Sequence, residues 1–118
     1  NQAVGGAYPL PQRIDLIMQK VGDDPVLWPT VKTLRDTGPY QDSGMVEMNE
    51  ALRDACSRYP NLRIYDWRAE VEDSWFRSDR IHYTTAGYTE RGARIADALA
   101  VAFPTSGAPA PSCVVGSS

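Results

Sequence analysis

Residues 45–67, MVEMNEALRDACSRYPNLRIYDW, change hydrophobic period once, and that change constrains the fold more than any other feature of the chain. Met45, Met48, Leu52, Ala55, Cys56 and Tyr59 keep to one side of a 3.6-residue repeat, with Glu47, Glu50, Arg53 and Asp54 on the other. That spacing predicts a helix from Met45 to about Tyr59 with one buried face. Tyr59-Pro60-Asn61 stops it, and LRIYDW follows as a strand. The same order occurs upstream. Ile14, Ile17, Met18 and Val21 mark an amphipathic helix closed by Gly22, and DPVLWPTV then reads as a buried strand with Pro29 near its end.

Helices alternating with strands imply a parallel sheet covered by helices on both faces. The remainder adds a polar loop, KTLRDTGPYQDSG, and a last helix from Ala86 to Phe103 expected to bury Ile95, Leu99, Ala102 and Phe103. Pro104 ends that helix, and residues 105–118, TSGAPAPSCVVGSS, have the composition of an extended tail. Two strands are too few for a stable parallel sheet, because each edge leaves unpaired backbone. The expectation is therefore that residues 1–104 form the C-terminal half of one α/β domain. The start at Asn1-Gln2, without Met or a signal pattern, is read the same way, as part of a longer protein.

Composition removes several function classes. Among 118 residues, 15 acidic side chains stand against 12 basic ones, and no Lys/Arg cluster is dense enough to follow a phosphate backbone, so nucleic acid is not expected as a partner. No apolar run approaches the ~20 residues of a membrane span. One histidine and scattered carboxylates make no ligand set, so neither a metal nor another cofactor is expected. The two cysteines, Cys56 and Cys113, lack zinc-site spacing. Cys56 lies on the apolar side of its helix, and the ten residues after Phe103 can span up to ~33 Å. A Cys56–Cys113 disulfide is expected, and with it an extracytoplasmic location, secreted or in the cell envelope.

The single histidine sits in SDRIHYTTAGY, three residues after Asp79. An imidazole works as a general base when a carboxylate fixes its tautomer and the other nitrogen faces a nucleophile. Thr84 is placed to cap the following helix, which would pin the loop just after His82. Asp-x-x-His alone describes a structural turn better than a catalytic pair. The longer string shifts that balance. Asp79-Arg80-Ile81-His82-Tyr83-Thr84, then Gly87-Tyr88 opening a helix after a strand that ends in Asp66-Trp67, resembles the last sequence block of the SGNH (GDSL) hydrolases. The likeness extends over roughly residues 10–103, including Asn49 in MNEAL at the start of its helix, and is strongest to exported, actinobacterial-type members.

The resemblance implies a three-layer α/β/α, flavodoxin-like fold with a five-stranded parallel sheet, of which this chain carries the last two strands. It implies that His82 is the base and Asp79 its orienting carboxylate. It also implies a partner outside this chain: the N-terminal half of the domain, with a nucleophilic serine in a Gly-Asp-Ser block and a backbone N–H for the oxyanion. Asn1 falls where the oxyanion-hole asparagine would follow the third strand. Trp75 and Tyr83 are the candidates for lining the substrate pocket. Gln41-Asp42-Ser43-Gly44 superficially matches the nucleophile block, but Ser43 is better explained as a helix-start residue. Asp66 is the alternative carboxylate, at the C-terminal end of a parallel strand where sites in such folds gather. The function expected is serine-dependent hydrolysis of a small ester or of an acylated carbohydrate or lipid. Acyl transfer by the same triad, or a non-catalytic SGNH-like piece serving in binding, are the alternatives.

Overall fold

A computed structural model describes residues 9–118, and Asn1 lies outside them. Helix α1 (Leu10–Val21) is followed by strand β1 (Val26–Pro29), helix α2 (Asp42–Ala55) and strand β2 (Leu62–Tyr65). A short helix α3 (Trp67–Glu70) and a 3-10 turn (Asp73–Trp75) lead to helix α4 (Thr85–Ala102) and strand β3 (Val114–Val115). The three strands are parallel in the order β1-β2-β3, with Val26 opposite Leu62 and Ile64 opposite Val114.

Alternation along β2 sorts the core into two layers. Leu62 and Ile64 meet Ile14 and Met18 of α1 and Leu52 and Ala55 of α2 on one face. Tyr65 and then Trp67 meet Ala98 and Ala102 of α4 on the other, with Val115. Helices thus cover both faces of a small parallel sheet, as the alternating pattern requires. Each of these large apolar side chains contributes roughly 1.5–3 kcal/mol by leaving water.

Three local expectations are corrected. The sheet has three strands rather than two, because Val114-Val115 near the end of the composition-biased tail pairs with β2. Ile64 N–H donates to Cys113 C=O and Asp66 N–H to Val115 C=O. A two-residue strand after a Pro/Ala/Ser run has no periodicity to read; a crosslink and hydrogen bonds hold it instead. Cys56 and Cys113 form the expected disulfide, Cα atoms 5.9 Å apart. The Glu70 carboxylate accepts from Ser117 N–H and Oγ–H at 3.0 and 2.8 Å, and Arg63 Nε donates to Ala110 C=O. Second, Leu99 is 47% exposed, since α4 approaches the sheet through the small side chains Ala98 and Ala102. Third, Ile17 is also 47% exposed, and α1 buries only Ile14 and Met18 of its apolar stripe.

One edge of the sheet lies open among the described residues. Val26 N–H bonds Asn61 C=O and Thr30 N–H bonds Tyr65 C=O, so alternation turns the backbone groups of Leu27 and Pro29 away from β2. Pro29 has no N–H to offer there, the placement expected of an edge proline. Val31, next in the same phase, is satisfied differently. The buried Asn49 amide accepts from Val31 N–H and donates to Val31 C=O, both at 2.8 Å, standing in for one residue of a neighbouring strand.

Candidate catalytic dyad

The chain after β2 leaves the sheet through α3 and returns as a narrow hairpin. Phe76 and Tyr83 form an isolated antiparallel bridge, and Arg77 N–H donates to His82 C=O at 2.7 Å. Arg80 closes the turn, its N–H donating to Arg77 C=O with φ at +65°. Asp79 and His82 are thereby folded onto each other at the hairpin tip.

Asp79 spends its whole carboxylate on this turn. Oδ1 accepts from Ile81 N–H and His82 N–H, each at 2.9 Å. Oδ2 lies 2.6 Å from His82 Nδ1. The Ile81 N–H first, then the His82 ring and the His82 N–H, hold the Asp79 carboxyl well below the ordinary carboxylate range. In the neutral ring this arrangement puts the proton on Nδ1 and leaves the Nε2 lone pair as acceptor. Among the described residues Nε2 has no hydrogen-bond partner, and the His82 side chain is 63% exposed. What the geometry supplies is an oriented imidazole with an ionised carboxylate behind it and open space in front.

The turn is anchored from both sides. The loop after β1 reaches across, with Leu34 N–H donating to Arg80 C=O at 3.0 Å and Arg35 Nε to Asp79 C=O at 2.9 Å. That loop is fixed through Asn49 at Val31 and through Asp42, which accepts from Thr33 N–H and pairs with Arg68. Behind the turn, Thr84 Oγ1 caps α4 by accepting from Gly87 N–H at 3.1 Å, as the sequence predicted. Thr84 N–H in turn donates to Trp75 C=O. Gly87 permits this approach: a Cβ there would stand 2.8 Å from the Trp75 carbonyl oxygen and 3.0 Å from Tyr83 Cβ. Neither anchor from the β1 loop carried a sequence signal, because Arg35 and Asp79 are 44 positions apart.

Other candidates are placed elsewhere. Trp75 stacks on Trp67 at 5.9 Å, and Tyr83 Oη accepts from Trp67 Nε1 at 2.9 Å, so both belong to the aromatic packing under the dyad. Asp66 accepts from Thr30 Oγ1 and faces Arg53, bracing the ends of β1 and β2 without touching His82. Ser43 sits exposed in the first turn of α2 and lines an apolar hollow of about 490 Å³ between α1 and α2 that includes neither Asp79 nor His82. Among the described residues no group of three or more His, Cys, Asp and Glu converges as a metal site. No helix of the described residues is long and apolar enough to cross a membrane. Comparisons with protein-family models, with curated proteins and with solved structures return no match.

Proposed function

We propose that this chain supplies the Asp–His half of a serine-dependent ester hydrolase of the SGNH type. The observation that carries the reading is the dyad itself: Nδ1 held 2.6 Å from a carboxylate that three hydrogen bonds keep ionised, with Nε2 exposed. In the reaction, a serine hydroxyl gives its proton to His82 Nε2 as Oγ bonds the acyl carbon. The ester C–O bond then breaks and the alcohol leaves with that proton. Water repeats the exchange: its proton passes to Nε2, its oxygen bonds the acyl carbon, and the serine recovers the proton as the acid departs. Asp79 remains a carboxylate throughout and stabilises the imidazolium.

Two further features support the proposal. The serine, in a Gly-Asp-Ser block, would arrive on a segment of the same domain that extends the sheet along β1, where Leu27 N–H and C=O and Pro29 C=O face outward. The Asn1 side chain would join a backbone N–H around the oxyanion. The disulfide fits an extracytoplasmic place of work. The test is turnover of a p-nitrophenyl ester by the protein containing this chain. His82→Ala lowers kcat by about 10³–10⁴-fold while the circular dichroism spectrum is retained, and Asp79→Asn costs a comparable factor or less. Near-normal kcat in His82→Ala removes the proposal.

A further inference from the structure

Arg80 occupies a conformation that suits glycine better than arginine. Its φ of +65° lies in the left-handed region, and it is the one non-glycine described there. Its backbone has clear duties, donating to Arg77 C=O and accepting from Leu34 N–H, but a glycine would perform both. The turn therefore accounts for the backbone and leaves the side chain unexplained. That side chain is exposed, two residues from His82, and makes no hydrogen bond, ion pair or ring contact among the described residues.

Its neighbours add charge instead of cancelling it. Arg35 and Arg77 each direct Nε to a neutral carbonyl, those of Asp79 and Tyr83, so neither guanidinium faces a carboxylate. Elsewhere Lys32 meets Asp73 at 3.0 Å, Arg58 meets Asp15 at 2.9 Å, Arg94 meets Glu70 and Glu90, and Arg68 meets Asp42. Of the acidic groups on these segments, Asp79 is committed to His82 and two backbone N–H groups and Asp73 to Lys32, while among the described residues Asp36, next to Arg35, forms an ion pair with none of the three guanidiniums. In a chain of net charge −3, the hairpin and the loop against it thus carry three guanidiniums without an ion pair among the described residues, beside the one imidazole. A guanidinium at such a site is built for bidentate contact with a carboxylate or phosphate.

We propose that Arg80, supported by the charges of Arg35 and Arg77, is a specificity-determining residue that binds an anionic group on the substrate, so that the preferred esters are acids or phosphates. This rests on the esterase reading and extends it to a substrate class. Arg80 and His82 stand two residues apart on one turn, their Cα atoms no more than ~7 Å apart, so the anion and the scissile ester would lie on one small molecule.

The test compares two p-nitrophenyl esters of equal chain length, the neutral hexanoate and the monoester of adipic acid, on the protein containing this chain. The expected result is a higher kcat/KM for the anionic ester. Arg80→Gln lowers the ratio of the two kcat/KM values by about 10–100-fold, the worth of a charge-assisted contact. Arg80→Gly, which relaxes the backbone, lowers the ratio equally, whereas Arg80→Lys keeps most of it. A ratio unchanged in both Arg80→Gln and Arg80→Gly, with turnover still dependent on His82, overturns this inference and leaves the esterase reading standing. Turnover of neither ester overturns both.

Discussion

Helix α4 contains two glycines five residues apart, and the same substitution at each should move stability in opposite directions. In an exposed helix interior, Gly→Ala stabilises by about 0.5–1 kcal/mol, because the glycine backbone loses more freedom on folding. Gly92 meets that description: it is exposed, and a Cβ there finds nothing within 4 Å. Gly87 does not. Its Cβ would stand 2.8 Å from Trp75 carbonyl oxygen, 2.9 Å from Trp75 Cβ and 3.0 Å from Tyr83 Cβ. None of these is the loose end of a flexible side chain, so relief requires α4 to move away from the 3-10 turn. Overpacking of this kind costs about 1–3 kcal/mol, which outweighs the propensity gain and leaves Gly87→Ala about 1–2 kcal/mol destabilised. The two variants should therefore differ by roughly 2–3 kcal/mol, or about 5–15 °C in melting temperature for a domain of this size. Thermal and urea unfolding followed by circular dichroism measure it. Only Gly87→Ala should also shift the His82 ring resonances, because the displaced Trp75 carbonyl accepts from Thr84 N–H at the base of the dyad hairpin. If both variants move stability the same way, the close approach of α4 to Trp75 is not as described.

Asn49→Ala should destabilise by about 2–4 kcal/mol, since it strands Val31 N–H, an orphaned group costing ~1–3 kcal/mol, leaves Val31 C=O with only the Arg68 guanidinium, and opens a cavity; a urea-unfolding loss below ~1 kcal/mol refutes the strand-mimic role. Reducing the disulfide removes a crosslink between residues 57 positions apart, worth about 4 kcal/mol in the chain-entropy model. Proteolysis should then begin at residues 104–112, and unaltered cleavage kinetics after reduction and alkylation count against that. Burial opposes charge on Glu70, but the hydrogen bonds from Tyr65 Oη, Ser117 and Arg94 outweigh it and lower its pKa. A carboxyl with a depressed folded pKa adds stability above its unfolded value, about 4.3, that is lost as pH falls through the folded value. Acid below about pH 4 should loosen Ser117 from Glu70 in hydrogen exchange, and Glu70→Gln should flatten that dependence; superimposable pH curves for the two proteins disprove the linkage.

Much of the architecture was legible where periodicity ran long enough. Helices α1, α2 and α4 and the two longer strands follow from 3.6-residue and short apolar patterns, and Thr84 announced its own cap. LRIYDW was expected to be strand to its end and instead stops at Tyr65, with Trp67 opening the short helix α3. Errors of phase arose where small residues carry the contact. Leu99 looks like the core side of α4, but Ala98 and Ala102 bring the helix closer to the sheet than a leucine would allow. Tyr65 and Trp67 then fill the space that remains. Strand β3 was invisible for a different reason. Two valines carry no period, and their place depends on a crosslink to a residue 57 positions back and on Glu70 gripping Ser117.

The dyad shows the same division at finer scale. Asp79 and His82 are local, and a three-residue spacing is enough for a carboxylate to meet both an imidazole and two backbone N–H groups of its own turn. What holds that turn against the body of the protein is non-local. Asn49 fixes Val31 on the open side of β1, and the same loop then presents Leu34 N–H and Arg35 Nε to the carbonyls of Arg80 and Asp79. Each link has a backbone N–H or carbonyl on at least one side, a contact that almost any sequence permits and none advertises. An exposed hairpin tip would otherwise be free to fray, since its ring nitrogen and carboxylate are both open to water. Bracing it through backbone groups leaves the imidazole edge unobstructed, which is the condition a general base has to meet.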